Sequence, residues 1–287
     1  MNSVAGTAAA VVVVCLAATP IAAQAPASGQ FPPYKAPRLA GTANPDLNGI
    51  WQAITTANWD IQDHDAQPGL HPELEGAYDA QAPGQAIVEG GEIPYQPWAL
   101  AKKNENFAKR AIVDVSDDLK RHETGDPELK CFMPGVPRAA YMPFPFQIVQ
   151  GSSPFILISY EYTDSTRIVR MNWKDEAPSD SWMGWSRGRW EGDALVIDVT
   201  GFRPESWFDR AGDFHSDALH VVERYTPVSP YHMMYEATIE DPKVFTRPWK
   251  ISFPLYRLMG KNVQLLEYKC VPFTEELIYG KFKKPGY

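Results

Sequence analysis

Short alternating segments separated by turns dominate this sequence from residue 143 onward, and they restrict the fold more than any other feature. Apolar and polar residues alternate along each segment, which is typical of a strand with one buried face. Glu191-Gly192-Asp193 is a tight hairpin turn between two of them. With one earlier segment, the predicted strands are Gly49–Ala53, Phe146–Gln150, Phe155–Tyr162, Thr166–Trp173, Met183–Trp190, Ala194–Thr200, Ala218–Thr226, His232–Ile239, Trp249–Tyr256 and Val263–Cys270.

A meander of this kind predicts a mainly β protein that closes into an antiparallel up-and-down barrel, with a β-sandwich as the alternative. Gly49-Ile50-Trp51, at the start of the first strand, resembles the GxW element of lipocalin-like (calycin) barrels. In those barrels the Trp packs across the closed end, so the resemblance implies the same position for Trp51. It covers the strand-rich part of the chain and does not extend to residues 53–142.

The region before the meander has a different composition. Residues 24–47 are rich in Pro, Ala and Gly and predict an extended leader. Residues 53–142 are loop-rich, and their one good helix candidate runs from Pro97 to Val113, with Pro in the first turn followed by good helix formers. We therefore expect a single barrel-like domain over 48–287 that includes this loop and helix region.

The N-terminus predicts export. Residues 4–19 are apolar and uncharged, and the short stretch Ile21-Ala22-Ala23 follows as a cleavage site. The run is shorter than the roughly 20 residues of a spanning helix. Residues 1–23 are therefore predicted to be a cleaved signal peptide, with an uncleaved anchor as the alternative, and the usual basic residue before the run is missing. A cleaved signal implies a periplasmic or secreted protein without stable membrane insertion.

The cysteine count agrees with export. The chain has three Cys, and Cys15 lies within the predicted signal. The remaining pair, Cys131 and Cys270, is predicted to form a disulfide in an oxidising compartment. Two unrelated buried thiols are the alternative.

Charge and motifs exclude several classes of function. Lys and Arg total 27 against 35 Asp and Glu, a net charge of −8, which argues against binding to nucleic acid or to an anionic membrane surface. No Walker loop, GxGxxG, GxSxG or HExxH motif occurs at a suitable place. We therefore expect no cofactor.

Longer blocks give a second resemblance, to a family of exported, largely uncharacterised bacterial proteins. They span nearly the whole mature chain, which implies one integrated unit, and they imply no particular chemistry. The blocks are PDLNGIWQA (45–53), GGEIPYQPWALAKKNENF (90–107), CFMPGVPRAAYMPFPFQIVQ (131–150), GRWEGDALVIDVTGF (188–202), DRAGDFHSDALHVVERY (209–225) and DPKVFTRPW (241–249).

The densest polar stretch supplies the candidate catalytic residues. Asp209 and His215 lie in a loop that leads into a strand, where ligand chemistry is often found. An imidazole titrates near neutral pH and a nearby carboxylate can orient it as a general acid/base. Glu223 on the following strand and Tyr141 complete the predicted set. A solvated loop whose side chains cap turns is the alternative.

A second set of residues is predicted to bind the substrate. A bidentate guanidinium clamp for a carboxylate or phosphate is assigned to Arg138, and apolar walls are assigned to two Trp. Alternation places Glu223 and Tyr225 on the face opposite His220 and Arg224, and it leaves open which face points inward. The predicted substrate-binding residues are Arg138, His220, Trp185, Trp207 and Arg224.

Carboxylates embedded in apolar strands leave two interpretations open, a structural ion-pair network with Arg or an acid/base pair of raised pKa. A metal site at His215, His220 and Glu223 requires a bend between the two His, because residues five apart on a strand face opposite sides. We expect no metal.

These observations predict an exported, cofactor-independent enzyme that acts on a hydrophobic or aromatic small molecule by acid/base chemistry in a barrel pocket, as a lyase, isomerase, cyclase or hydrolase. The alternative is a non-catalytic binding or carrier protein of the cell envelope. A structural or interaction module of the envelope is the third hypothesis.

Overall fold

The computed structural model describes residues 34–68, 80–110, 125–272 and 274, and all structural statements concern these residues. The predicted signal peptide, the leader up to residue 33 and the end of the predicted helix at Val113 lie outside them. The described strands are β1 (Gly49–Ala53), β2 (Phe146–Gln150), β3 (Phe155–Tyr160), β4 (Thr166–Met171), β5 (Trp185–Glu191), β6 (Ala194–Thr200), β7 (His220–Pro227), β8 (His232–Glu240) and β9 (Trp249–Arg257). The helices are α1 (Pro97–Lys109) and the short α2 (Arg138–Tyr141), with 3-10 turns at Pro127–Lys130 and Tyr162–Asp164.

The nine strands form a closed barrel in chain order, which confirms the predicted fold class. β9 pairs with β1 through Gln52 and Tyr256 and closes the sheet. All neighbouring pairs are antiparallel except β4 and β5, which are parallel through Arg170 and Arg187. The pattern of turns predicted antiparallel pairing throughout. Residues 172–184 instead run back along the barrel before β5 begins, so β5 takes the direction of β4.

The prediction of a last strand at Val263–Cys270 is wrong. Residues 258–272, here called the C-terminal strap, have no strand structure and are mostly exposed. The physical reason is that β9 already pairs with β1, so the closed barrel offers no free sheet edge to a tenth strand. Cys270 near the end of the strap forms the predicted disulfide with Cys131, with a Cα–Cα distance of 5.7 Å.

Burial resolves which face of each strand points inward. On β7, Val221, Glu223 and Tyr225 are buried inside the barrel, whereas His220 and Arg224 point outward. Trp51 on β1 is almost fully buried, and its indole Nε1 donates a hydrogen bond to the Leu47 carbonyl at 3.0 Å. The GxW tryptophan is therefore a core residue.

Strand directions sort the connections between two ends of the barrel. The short turns at 151–154, 192–193 and 228–231 lie at one end, which we call the short-turn end. The long connections, within 54–145, 201–219 and 241–248, meet at the opposite end, which we call the loop end. The chemistry-bearing loops of the sequence are thus gathered at the loop end by topology. Among the described residues, no helix is both long enough and apolar enough to cross a membrane.

Candidate functional site

Glu223 lies inside the barrel, where it pairs with a buried arginine. Its two carboxylate oxygens accept hydrogen bonds from Arg167, from the Tyr225 hydroxyl at 3.0 Å and from the Tyr235 hydroxyl at 2.9 Å. The Arg167 Nε donates to the Ser186 hydroxyl at 2.6 Å.

This interior network is balanced in charge and in hydrogen bonds. Burial raises the pKa of Tyr225 and of Tyr235 well above 10, so both hydroxyls keep the proton that they donate to Glu223. Of the two interpretations that the sequence left open for embedded carboxylates, this geometry matches the structural ion pair and not the acid/base pair of raised pKa.

Arg138 is buried at the loop end and binds groups of the protein itself. Its Nε donates to the Asn58 side chain at 2.8 Å, and its Nη atoms reach Asp126 at 3.2 Å and Glu128 at 2.7 Å. The clamp predicted for a ligand anion is therefore engaged by the protein's own carboxylates. Tyr141, three residues on, donates its hydroxyl to the Phe208 carbonyl at 2.7 Å.

Glu128 joins this network to the β6–β7 connection. Arg210 donates to both of its oxygens, at 2.7 and 2.8 Å, and stacks over the Trp59 ring with its guanidinium carbon 4.2 Å from the centroid. Burial alone would raise the pKa of Glu128, but Arg210 and Arg138 outweigh it and lower the pKa to about 2. Glu128 thus stays ionised across the physiological range.

Asp209 belongs to a cluster of three carboxyl groups with Asp60 and Asp213, in which one oxygen of each residue lies within 4.8 Å of the other two. Asp209 and Asp213 are 0% exposed. Burial and then the neighbouring Asp213 raise the pKa of Asp209 well above its usual range, and the same two causes raise that of Asp60 to about 6. Burial and a neighbouring like charge both disfavour the ionised carboxylate, which explains the two shifts in pKa.

His215 is not part of this cluster. Its Nε2 lies 2.8 Å from the Ser206 hydroxyl and its Nδ1 lies 2.9 Å from the Ser216 carbonyl oxygen. Burial lowers the pKa of His215, so the neutral imidazole is the favoured form. Phe202 and Phe208 pack against the ring.

Several predicted residues lie on the outer surface. His220 bonds Asp198 at 3.1 Å, and the exposed Arg224 pairs with Glu191 at 2.7 Å. The hydrogen bond that His220 donates to Asp198 raises the pKa of His220. Because His215, His220 and Glu223 lie at a buried loop, an outer face and the barrel interior, the structure does not bring them together.

The two predicted Trp are also apart. Trp185 is stacked against Arg170, whose guanidinium carbon lies 4.7 Å from its ring. The backbone of Trp207 forms an isolated antiparallel β-bridge with Phe214. The Trp207 carbonyl oxygen lies 3.5 Å from an Nη atom of Arg138. The predicted site residues are thus divided among the barrel interior, the loop end and the outer face.

A pocket of about 330 Å³ lies at the short-turn end. Arg257 lines it, with its guanidinium carbon 4.6 Å from the Trp51 ring centroid. Within the described part of the chain, the Arg257 Nε is buried without a hydrogen-bond partner, and no carboxylate lies within ion-pair distance of this guanidinium. The remaining lining residues are Tyr34, Ala36, Pro37, Asp46, Leu47, Pro227, Ser229, Pro230, Tyr231 and Met259.

Sequence reasoning missed Asp60, Ser206 and Arg257 as candidates. Asp60 and Ser206 carry no motif, and each acquires its partner only through the fold. Arg257 had a weak signal in the sequence, because it directly follows the predicted strand Trp249–Tyr256. That strand is β9, and it pairs with β1 so that Arg257 lies opposite Trp51.

Comparisons with protein-family models, with curated proteins and with solved structures returned no match.

Proposed function

We propose that this protein is an exported binding protein for a hydrophobic small molecule that carries an acidic group, held in the pocket at the short-turn end. The observation that carries the proposal is Arg257, a guanidinium with no carboxylate partner among the described residues, at the wall of an aromatic pocket. A partly buried cation without a counterion is costly, and a ligand carboxylate or sulfonate compensates it through charge-assisted hydrogen bonds.

The pocket's dimensions and walls support a small, largely apolar ligand. Its volume of about 330 Å³ falls within the roughly 300–1,000 Å³ typical of small-molecule sites. Tyr231 and Met259 at its rim are 52% and 61% exposed, and large apolar side chains grouped in this way mark binding surfaces.

Rigidity supports the proposal further. Trp51 is fixed in the core by its hydrogen bond to Leu47, and it holds the Arg257 guanidinium by stacking. An anchor that is already ordered loses little entropy when a ligand binds. Arg257 thus takes the role that the sequence assigned to Arg138, and a net charge of −8 makes such a local cation necessary for an anionic ligand.

The test uses the mature full-length protein and two fluorescent probes. Anilinonaphthalene sulfonate is aromatic and anionic, and phenylnaphthylamine is a neutral counterpart. We expect wild-type protein to bind both. Arg257→Gln should weaken sulfonate binding about tenfold, the loss of one charge-assisted contact, and leave the neutral probe unchanged. Arg224→Gln, an exposed outer-face arginine, is the matched control and should alter neither affinity.

A second variant distinguishes the contribution of the apolar pocket wall from that of the Arg257 charge. Tyr231→Ser removes an apolar wall and should weaken both probes equally. If Arg257→Gln and Arg224→Gln behave alike, or if neither probe binds to protein with native near-ultraviolet circular dichroism, the proposal is wrong.

A second candidate function, an enzyme that transfers or hydrolyses acyl groups, is favoured by the contact between Ser206 and His215. The Ser216 carbonyl fixes the hydrogen on Nδ1, so Nε2 accepts the Ser206 hydroxyl hydrogen, as in an activated serine. A fluorophosphonate probe should then label wild-type protein and not Ser206→Ala. Ser229→Ala is the control, because Ser229 lies 2.8 Å from His232 at the surface. Absence of labelling in the wild-type protein rejects this candidate.

A further inference from the structure

The carboxyl cluster at the loop end joins two segments that are distant in sequence. Asp60 lies in the loop after β1, and Asp209 and Asp213 lie in the β6–β7 connection. One oxygen from each of the three comes within 4.8 Å of the other two. Asp209 and Asp213 are fully buried and Asp60 is half-buried.

With the three carboxyl groups ionised, as binding to a metal ion requires, the hydrogen bonds of the cluster leave one buried oxygen without a donor. The two oxygens of Asp209 accept backbone N–H groups from Ile61 at 3.0 Å and from Asp213 at 3.1 Å. Asp213 Oδ1 accepts the Tyr95 hydroxyl at 2.7 Å. Asp213 Oδ2 is buried and has no hydrogen-bond partner among the described residues.

The nearest cation does not satisfy that oxygen. The Lys103 ammonium on α1 lies 4.0 Å from Asp213 Oδ2, which is beyond hydrogen-bonding distance. One ammonium also carries a single positive charge, which cannot balance three carboxylates when all of them are ionised. An unmade bond on a fully buried carboxylate is costly, so the site has both a charge and a coordination position to fill.

We propose that Asp60, Asp209 and Asp213 bind a Ca²⁺ ion that ties the loop after β1 to the β6–β7 connection. The donors are all oxygens, which hard divalent cations prefer. One ion bound to all three oxygens spans at most twice a metal–oxygen distance, about 4.8 Å for Ca²⁺ and about 4.2 Å for Mg²⁺. One oxygen from each residue lies within 4.8 Å of the other two, a span that one Ca²⁺ ion can bridge, and Ca²⁺ accepts irregular oxygen geometry where Mg²⁺ demands a near-ideal octahedron.

This site is separate from the small-molecule pocket, which lies at the opposite end of the barrel. It also departs from the sequence-based expectation that the protein holds no metal. Of the three ligands, Asp60 was missed there, since it follows no ligand-spacing motif.

The test measures Ca²⁺ binding by the mature full-length protein after treatment with a chelator. Calorimetric titration with CaCl₂ should show one site, and Ca²⁺ at a hundredfold excess over Kd should raise the Tm by about 5 °C. Asp213→Asn should abolish both effects, because its amide oxygen still accepts the Tyr95 hydroxyl but the charge is lost. Asp217→Asn, an exposed neighbour paired with Lys243, is the matched control and should bind like wild type.

Two further variants test Ca²⁺ binding if Asp213→Asn fails to fold. Asp60→Asn, at the half-buried ligand, should also lose binding. Lys103→Gln should raise the Ca²⁺ affinity severalfold, because it removes a competing cation. Wild-type protein that shows neither heat nor a Tm shift with millimolar Ca²⁺, binding of Mg²⁺ in preference to Ca²⁺, or equal loss in Asp217→Asn and Asp213→Asn overturns the assignment. None of these outcomes affects the probe titrations at the short-turn end.

Discussion

Glu223 and Arg167 are the residues on which the barrel interior depends most. Both are buried, and the hydroxyls of Tyr225 and Tyr235 also donate to Glu223. Inside a low-dielectric core, an ion pair is tolerated only when every partner is present.

Glu223→Gln should therefore destabilise the protein by about 3–5 kcal/mol, because Arg167 is left as an uncompensated buried charge. Denaturant unfolding followed by tryptophan fluorescence measures the difference. Glu236→Gln on the outer face of β8 is the control and should change the free energy of unfolding by less than about 0.5 kcal/mol. A loss of under about 1 kcal/mol in Glu223→Gln would show that water reaches the interior pair.

Single residues also show the limit of the sequence. Alternation correctly placed Glu223 and Tyr225 on one face and His220 and Arg224 on the other. It did not show which face points inward, because both faces mix apolar and charged side chains. The choice follows from Arg167, which supplies the counterion inside the barrel.

Among the elements, the C-terminal strap differs most from the prediction. Its sequence alternates like a strand, yet a strand needs a free edge, and β1 and β9 leave none. The strap is held instead by the disulfide, by a hydrogen bond from the Leu266 amide to Glu161 at 2.8 Å and by the tilted packing of Tyr268 against Phe144.

Cys131→Ser/Cys270→Ser should release the strap and leave the barrel folded, because the sheet closes without it. We expect faster tryptic cleavage at the exposed Lys261 and Lys269, with unchanged far-ultraviolet circular dichroism. The free energy of unfolding should fall by about 2–4 kcal/mol, since the bridge closes a loop with a sequence separation of 139. Reductant should accelerate cleavage of wild-type protein and not of the double variant. Equal cleavage rates would mean that side-chain packing alone holds the strap.

At the scale of the whole molecule, Glu128 joins segments that the chain itself separates widely. Asn58 follows β1, Arg138 precedes β2 and Arg210 lies between β6 and β7, and all three bond to its network. The loop end is thus a set of connections fastened to each other through buried charges. Its stability should depend on pH.

Glu128 has a folded pKa of about 2, below its ordinary 4.5, so its stabilising contribution is present above pH 4.5 and is lost as the pH falls toward 2. That contribution is of order 3 kcal/mol. The difference in free energy of unfolding between wild type and Glu128→Gln should be largest near neutral pH and should shrink on acidification. Urea titrations across this range measure it, with the exposed Glu105→Gln as a control whose difference stays small. A difference that does not vary with pH would show that Glu128 is not ionised in the folded state.

The sequence by itself determined the class of fold, the position of nearly every strand, the start of α1 and the disulfide, because alternation, turn residues and cysteine parity are local or countable features. Only the tertiary structure decided the parallel β4–β5 pair, the loss of the tenth strand and the partners of the charged residues. These depend on which edges and loops meet in space. Asp60 with Asp213, and Arg257 with Trp51, are close only because the barrel closes.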